Sequence, residues 1–68
     1  MNRYAVKIMC DNNAAALIIA GAFLKAGLLP IIEPKSTVVI LVSEKETAEK
    51  LAETIRAAKF EPIIEERE

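Results

Sequence analysis

Apolar and polar positions alternate from Arg3 to Cys10, with Val6, Ile8 and Cys10 on one face and Arg3, Ala5, Lys7 and Met9 on the other. This predicts a strand whose second face, marked by Lys7, is the wetter one. Asp11, Asn12 and Asn13 follow, residue types that cap a helix by accepting a hydrogen bond from its free N–H groups. From Ala14 to Leu29 only Lys25 interrupts an apolar run, which predicts a helix stopping near Gly27. Leu28 to Glu33 reads as a second strand carrying Pro30, and Glu33 to Ser36 as a turn. Thr37 to Val42 is β-branched and apolar on both faces, so it belongs in the middle of a sheet. Ser43 and Glu46 have capping-box spacing and open a second helix to about Lys59, with Ala48, Leu51, Ala52, Ile55 and Ala58 on one stripe. Its other face is charged, with Glu46–Lys50 and Glu53–Arg56 spaced for ion pairs. Phe60 to Glu66 is a fourth strand.

The chain repeats itself at an offset of thirty-two residues. PIIEER from Pro62 restates PIIEPK from Pro30, and the phase holds throughout: Val6 matches Val38, Ile8 Ile40, Asp11 Ser43, Ala16 Ala48, Ile19 Leu51, Ala20 Ala52, Phe23 Ile55 and Ala26 Ala58. Two β-α-β units, residues 4–35 and 36–67, therefore make one domain spanning 1–68. Their fusion gives β-α-β-β-α-β, the order of the α+β ferredoxin-like fold, in which two helices cover one face of a four-stranded antiparallel sheet. The first and third strands are central in that fold. Both strand prolines, Pro30 and Pro62, then fall on edge strands, where a missing N–H is tolerated.

The second helix shows which positions touch the sheet, and the repeat transfers that reading to the first. Ala16, Ile19, Ala20, Phe23 and Ala26 form its core stripe. Its outer stripe is Ala14, Leu17, Gly21, Leu24 and Leu28, where the second half has Glu46, Glu49, Glu53, Arg56 and Phe60. A contiguous apolar stripe of this kind marks an association surface, and Gly21 in its middle lets another backbone come close. The helix-free sheet face, with Met9, Val39 and Leu41 beside Lys7 and Thr37, is a second such surface.

Size sharpens that expectation, because 68 residues lie near the lower limit for a core formed without disulfide or metal. Nine basic and ten acidic residues, scattered, give no footprint for nucleic acid or an anionic membrane. Lys25 and Pro30 argue against reading Ala14 to Ile32 as a membrane span. One cysteine and no histidine leave no disulfide and no usual zinc set, so no metal or cofactor is expected, and the setting reads as cytoplasmic.

Cys10 precedes a helix N-terminus, where a thiol pKa can fall, but its repeat counterpart is Val42 and its neighbour is Asp11. Both point to an inert apolar position. With no histidine to act as base, no catalytic residue is assigned. Asp11, Asn12 and Asn13 are the candidate ligand-binding residues, at the end of a central strand and the start of a helix. The aromatic stacking positions of an RNA-binding sheet are missing, Tyr4 being the one aromatic residue on a central strand.

In element order, in size, and in the passage from strand through Asp11 into a helix ending Ala26-Gly27-Leu28-Leu29, the chain resembles an ACT-type regulatory domain. Such domains commonly place a Pro-Gly turn where this chain has Asn12-Asn13. The resemblance implies a homodimer or larger homo-oligomer with a small polar effector at the first strand-helix loop, on Asp11, Asn12 and Asn13. The expected function is a non-enzymatic binding or regulatory module. The alternative is a small interaction subunit or inhibitor that covers another protein with the outer stripe of its first helix.

Overall fold

The alternating pattern after Arg3 produces strand β1, Tyr4–Met9, followed by α1, Asn13–Lys25, β2, Pro30–Glu33, β3, Thr37–Val42, α2, Lys45–Ala57, and β4, Pro62–Glu66. These elements come from a computed structural model that describes residues 3–67; the extreme ends of the expected 1–68 domain lie outside the described residues. The four strands form one antiparallel sheet in the order β2-β3-β1-β4, the α+β ferredoxin-like arrangement. β1 and β3 are central, as their apolar character requires. Pro30 and Pro62 each open an edge strand, opposite Ile40 and Ile8.

Val6, Ile8, Val38, Ile40 and Val42 point from the sheet to the helices and meet Ala16, Ala20, Ala48 and Ile55, with Cys10, Ile19, Phe23, Leu28 and Leu51 closing the edges of this core. Alanines at the closest points let both helices sit low on the sheet. Each helix packs mainly on strands, and the two scarcely approach one another. Ala26, expected in the core stripe, caps α1 instead and is exposed.

The helix ends obey the repeat more closely than their sequences suggest. Gly27 has φ 87° and its counterpart Lys59 has φ 69°, so both helices end on a left-handed residue. The N–H of Leu28 donates to the Phe23 carbonyl at 3.0 Å, and that of Phe60 to the Ile55 carbonyl at 3.2 Å. With Gly27 N–H on Leu24 and Lys59 N–H on Arg56, these are two Schellman motifs. Both edge strands consequently begin two residues later than the apolar pattern predicted, because Leu28 and Phe60 belong to the caps.

The N-terminal ends differ. Asn12 caps α1, its Oδ1 accepting from the Ala15 N–H at 2.8 Å. In α2 the cap position falls on Glu44, whose side chain makes no capping bond. The expected Ser43–Glu46 capping box does not form, because the helix begins one residue later than that box needs. Of the two expected ion pairs on α2, Glu46–Lys50 is present at 3.3 Å. Glu53–Arg56 is absent among the described ion pairs.

On the helix-free face Glu33, Arg67, Glu65 and Lys7 form a chain of ion pairs: Arg67 to Glu33 at 3.8 Å, Arg67 to Glu65 at 3.2 Å, and Lys7 to Glu65 at 3.2 Å. Ala5 lies opposite Glu65 in the sheet and Val39 opposite Lys7, and both are completely buried although no helix covers them. Long charged side chains cover apolar neighbours with their stems while their heads stay in water. Of the residues expected on this face, Val39 and Thr37 are buried, Leu41 is half-buried and Met9 alone is well exposed, while the strand register adds the exposed Ile31 and Ile63 of the edge strands to the same face.

Candidate functional site

Strand β1 delivers the chain to the loop Asp11-Asn12-Asn13, and the β2–β3 turn closes over it. The Ser36 hydroxyl donates to Asn13 Oδ1 at 2.6 Å, and the Cys10 N–H donates to the Ser36 carbonyl at 3.0 Å. Lys35 and Ser36 both have left-handed backbones, at φ 66° and 56°, and these bonds hold the turn in that conformation. Asn12 and Asn13 thus each commit a side-chain oxygen to the architecture. Their amide nitrogens and the Asp11 carboxylate remain directed to exposed positions with no bond to another described side chain.

Cys10 is half-buried, with its Sγ 3.9 Å from the Ile8 carbonyl. Burial, and then the neighbouring Asp11 carboxylate, push the thiol pKa up, the direction opposite to that of an activated nucleophile. Among the described residues no three acidic, cysteine or histidine side chains gather as a metal site.

The second predicted site is the outer face of α1. Leu17 is 63 % exposed and Leu24 57 %, with Ala14 exposed and Gly21 between them facing open space. Leu28 does not belong to this face. As the residue after the left-handed Gly27 it folds back over Phe23 and packs on the core; Phe60, at the matched position, makes the same backbone bond to Ile55 but stays exposed. In its place stands Ile18, 74 % exposed. The repeat contained this signal, since the Ile18 counterpart is Lys50, a surface residue.

A third feature was not anticipated. Between the helices, over Ile8, runs an apolar cleft of about 190 Å³ walled by Ile19, Ala22 and Phe23 on one side and Thr54, Ile55, Ala58 and Phe60 on the other. Ala22 and Ala58 are too short to fill the gap. The Thr54 hydroxyl donates to the Lys50 carbonyl of its own helix at 3.2 Å, which leaves the lining almost wholly apolar.

Compared with protein-family models, with curated proteins and with solved structures, the chain matches none. No helix among the described residues is long and apolar enough to cross a membrane.

Proposed function

We propose that this chain is a non-enzymatic regulatory or binding module that assembles with further copies of itself through the outer face of α1. The observation that carries the proposal is the contrast at matched positions of the repeat: Leu17, Ile18 and Leu24 stand in water where α2 has Glu49, Lys50 and Arg56. Full burial of each such side chain is worth about 1.5–3 kcal/mol. Gly21, with nothing near its missing Cβ, provides the depression into which a facing leucine fits.

The effector of this reading is a small polar molecule at Asp11, Asn12 and Asn13. Two amide donors and one carboxylate acceptor suit a ligand with both an acidic and a basic group. Cys10 has no part in it.

Sedimentation of the purified chain against concentration tests the assembly. Self-association is expected at micromolar concentration, and a variant carrying the α2 residues, Leu17→Glu with Leu24→Arg, should be monomeric with an unchanged circular dichroism spectrum. A wild-type chain that stays monomeric would overturn self-association and turn the same face toward a different protein. For the effector, a thermal-shift panel of amino acids should give a response that Asp11→Ala removes. Saturation a hundredfold above the dissociation constant corresponds to about 2.7 kcal/mol.

A further inference from the structure

The edge strands carry the same run, Pro30-Ile31-Ile32-Glu33 in β2 and Pro62-Ile63-Ile64-Glu65 in β4, and part at the residue that follows: Pro34 in the first half is matched by Glu66 in the second. That difference falls on the backbone. Along an antiparallel ladder successive residues turn their N–H and C=O groups alternately toward the neighbouring strand and away from it. The Arg67 N–H donates to the Arg3 carbonyl, so Glu65 and Ile63 also face β1, and Pro62, Ile64 and Glu66 face outward. In β2, Pro30 has no N–H to give β3, so Ile31 and Glu33 face inward and the outward positions are Pro30, Ile32 and Pro34. Prolines on both sides leave Ile32 alone with an outward N–H, which blunts β2 as a template for another strand. β4 keeps the outward N–H groups of both Ile64 and Glu66, with the exposed side chains of Ile63 and Ile64 beside them.

We propose that β4 pairs, antiparallel, with β4 of a second copy of this chain across a two-fold axis at Ile64. In this register each Ile64 N–H meets the other Ile64 carbonyl, and each Glu66 N–H meets the partner's Pro62 carbonyl. Charge selects the register. Sliding by two residues one way sets Glu61 opposite Glu65, and the other way sets Glu65 opposite itself, like charges directly across a ladder. The centred register sets Glu66 opposite Pro62 instead. Pro62 lines a shallow depression at the head of β4 together with Arg56, Lys59, Phe60 and Glu61. Arg56 and Lys59 make no ion pair with any carboxylate among the described residues. Pro62 and Glu66 lie on the helix side of the sheet, because Pro62 stands opposite Ile8, which points to the helices. The partner's Glu66 thus arrives at the depression that holds two unpaired cations, and the two-fold axis repeats the contact at the other end.

A short strand pair is an interface of the weak, transient class, so it forms at millimolar concentration, above the micromolar range of assembly through α1. α1 packs on β2 and β3, whereas β4 lies under α2, so the two surfaces are on opposite sides of the domain and neither depends on the other.

The test uses the full chain carrying Leu17→Glu with Leu24→Arg, which removes association through α1, and follows amide hydrogen exchange by NMR from micromolar to millimolar concentration. Exchange at Ile64 and Glu66 should slow about tenfold over that range, while Ile32, at the matched position of β2, should not change. Glu66→Pro copies Pro34 without removing a bond to β1 and should abolish the protection of Ile64. Arg56→Glu with Lys59→Glu should weaken pairing about tenfold by repelling Glu66, and adding Glu66→Lys should restore it. The proposal is overturned if exchange at Ile64 and Glu66 is independent of concentration, if Glu66→Pro leaves Ile64 protected, or if Glu66→Lys fails to rescue the reversed cations. Protection that appears at Ile32 instead puts the pairing on β2 and overturns it equally. Sedimentation of the wild-type chain at micromolar concentration reads the α1 assembly separately.

Discussion

Helices α1 and α2 are copies in length, in phase and in the way they end, and they differ in almost everything that faces water. Each has thirteen residues, lays a stripe of small residues on the central strands and finishes in a Schellman turn. Only the outer surface of α2 has charged residues along its length; that of α1 is apolar up to Lys25. What packs against the sheet has stayed the same between the halves, and what does not has diverged. A position where the copies disagree in polarity is thus free of the demands of the fold, and its chemistry calls for another explanation.

The comparison is broken most severely in the core, where the halves should behave alike. Ile8 and Ile40 are matched positions, both buried against the helices, and truncation of either to alanine should cost about 2–5 kcal/mol. Urea denaturation that gives clearly unequal losses would show that the two halves share a pattern without sharing an energetic role. The helix C-termini come next. Gly27→Ala forces a Cβ onto a left-handed backbone and should cost about 1–2 kcal/mol. Lys59→Gly, at the matched position, should gain up to about 1 kcal/mol, so that thermal melts of the two variants move in opposite directions.

At the N-termini, Asn12→Ala removes a formed cap and should cost about 1 kcal/mol. Glu44→Asn supplies the cap that α2 lacks and should gain a smaller amount. If the two changes moved stability the same way, the difference between the two helix starts would have no energetic content. The smallest effect belongs to the sheet face without helices. Hydrogen bonds from Lys7 and Arg67 hold the Glu65 carboxyl below its usual pKa. The folded state then binds the proton less readily than the unfolded one, so the contribution is complete above the ordinary glutamate value of about 4.3 and is lost as the pH falls below it. Glu65→Gln should flatten that acid limb in a series of urea midpoints against pH, and added salt should do part of the same.

Most of the architecture was legible because three independent signals agreed. Periodicity placed the elements, the repeat doubled the evidence for each, and Pro30 and Pro62 separated edge strands from central ones. Some of the failures were local and others long-range. Leu28 read as an outward residue because helical spacing was continued past Gly27, where the chain reverses. The Ser43–Glu46 box was legible but unused, since the helix takes Glu44 rather than Ser43 as its cap position. Burial of Val39 was not legible because its cross-strand neighbour Lys7 lies thirty-two residues away in the chain and comes alongside only when the sheet forms. The cleft was not visible from any single segment, because an absence of packing between two helices has no sequence motif.

One consequence of the strand order concerns how the halves can exist at all. Each half contributes β1 and β2, or β3 and β4, and neither pair is adjacent: β3 inserts between β1 and β2, and β1 between β3 and β4. A half on its own holds two strands with an empty lane between them and no ladder to close. The first half emerging from a ribosome must wait for the second, and a single β-α-β unit of this sequence becomes a sheet only by interlocking with another. Cutting the chain in the turn at Lys35 should give two pieces that are unstructured apart and structured when mixed.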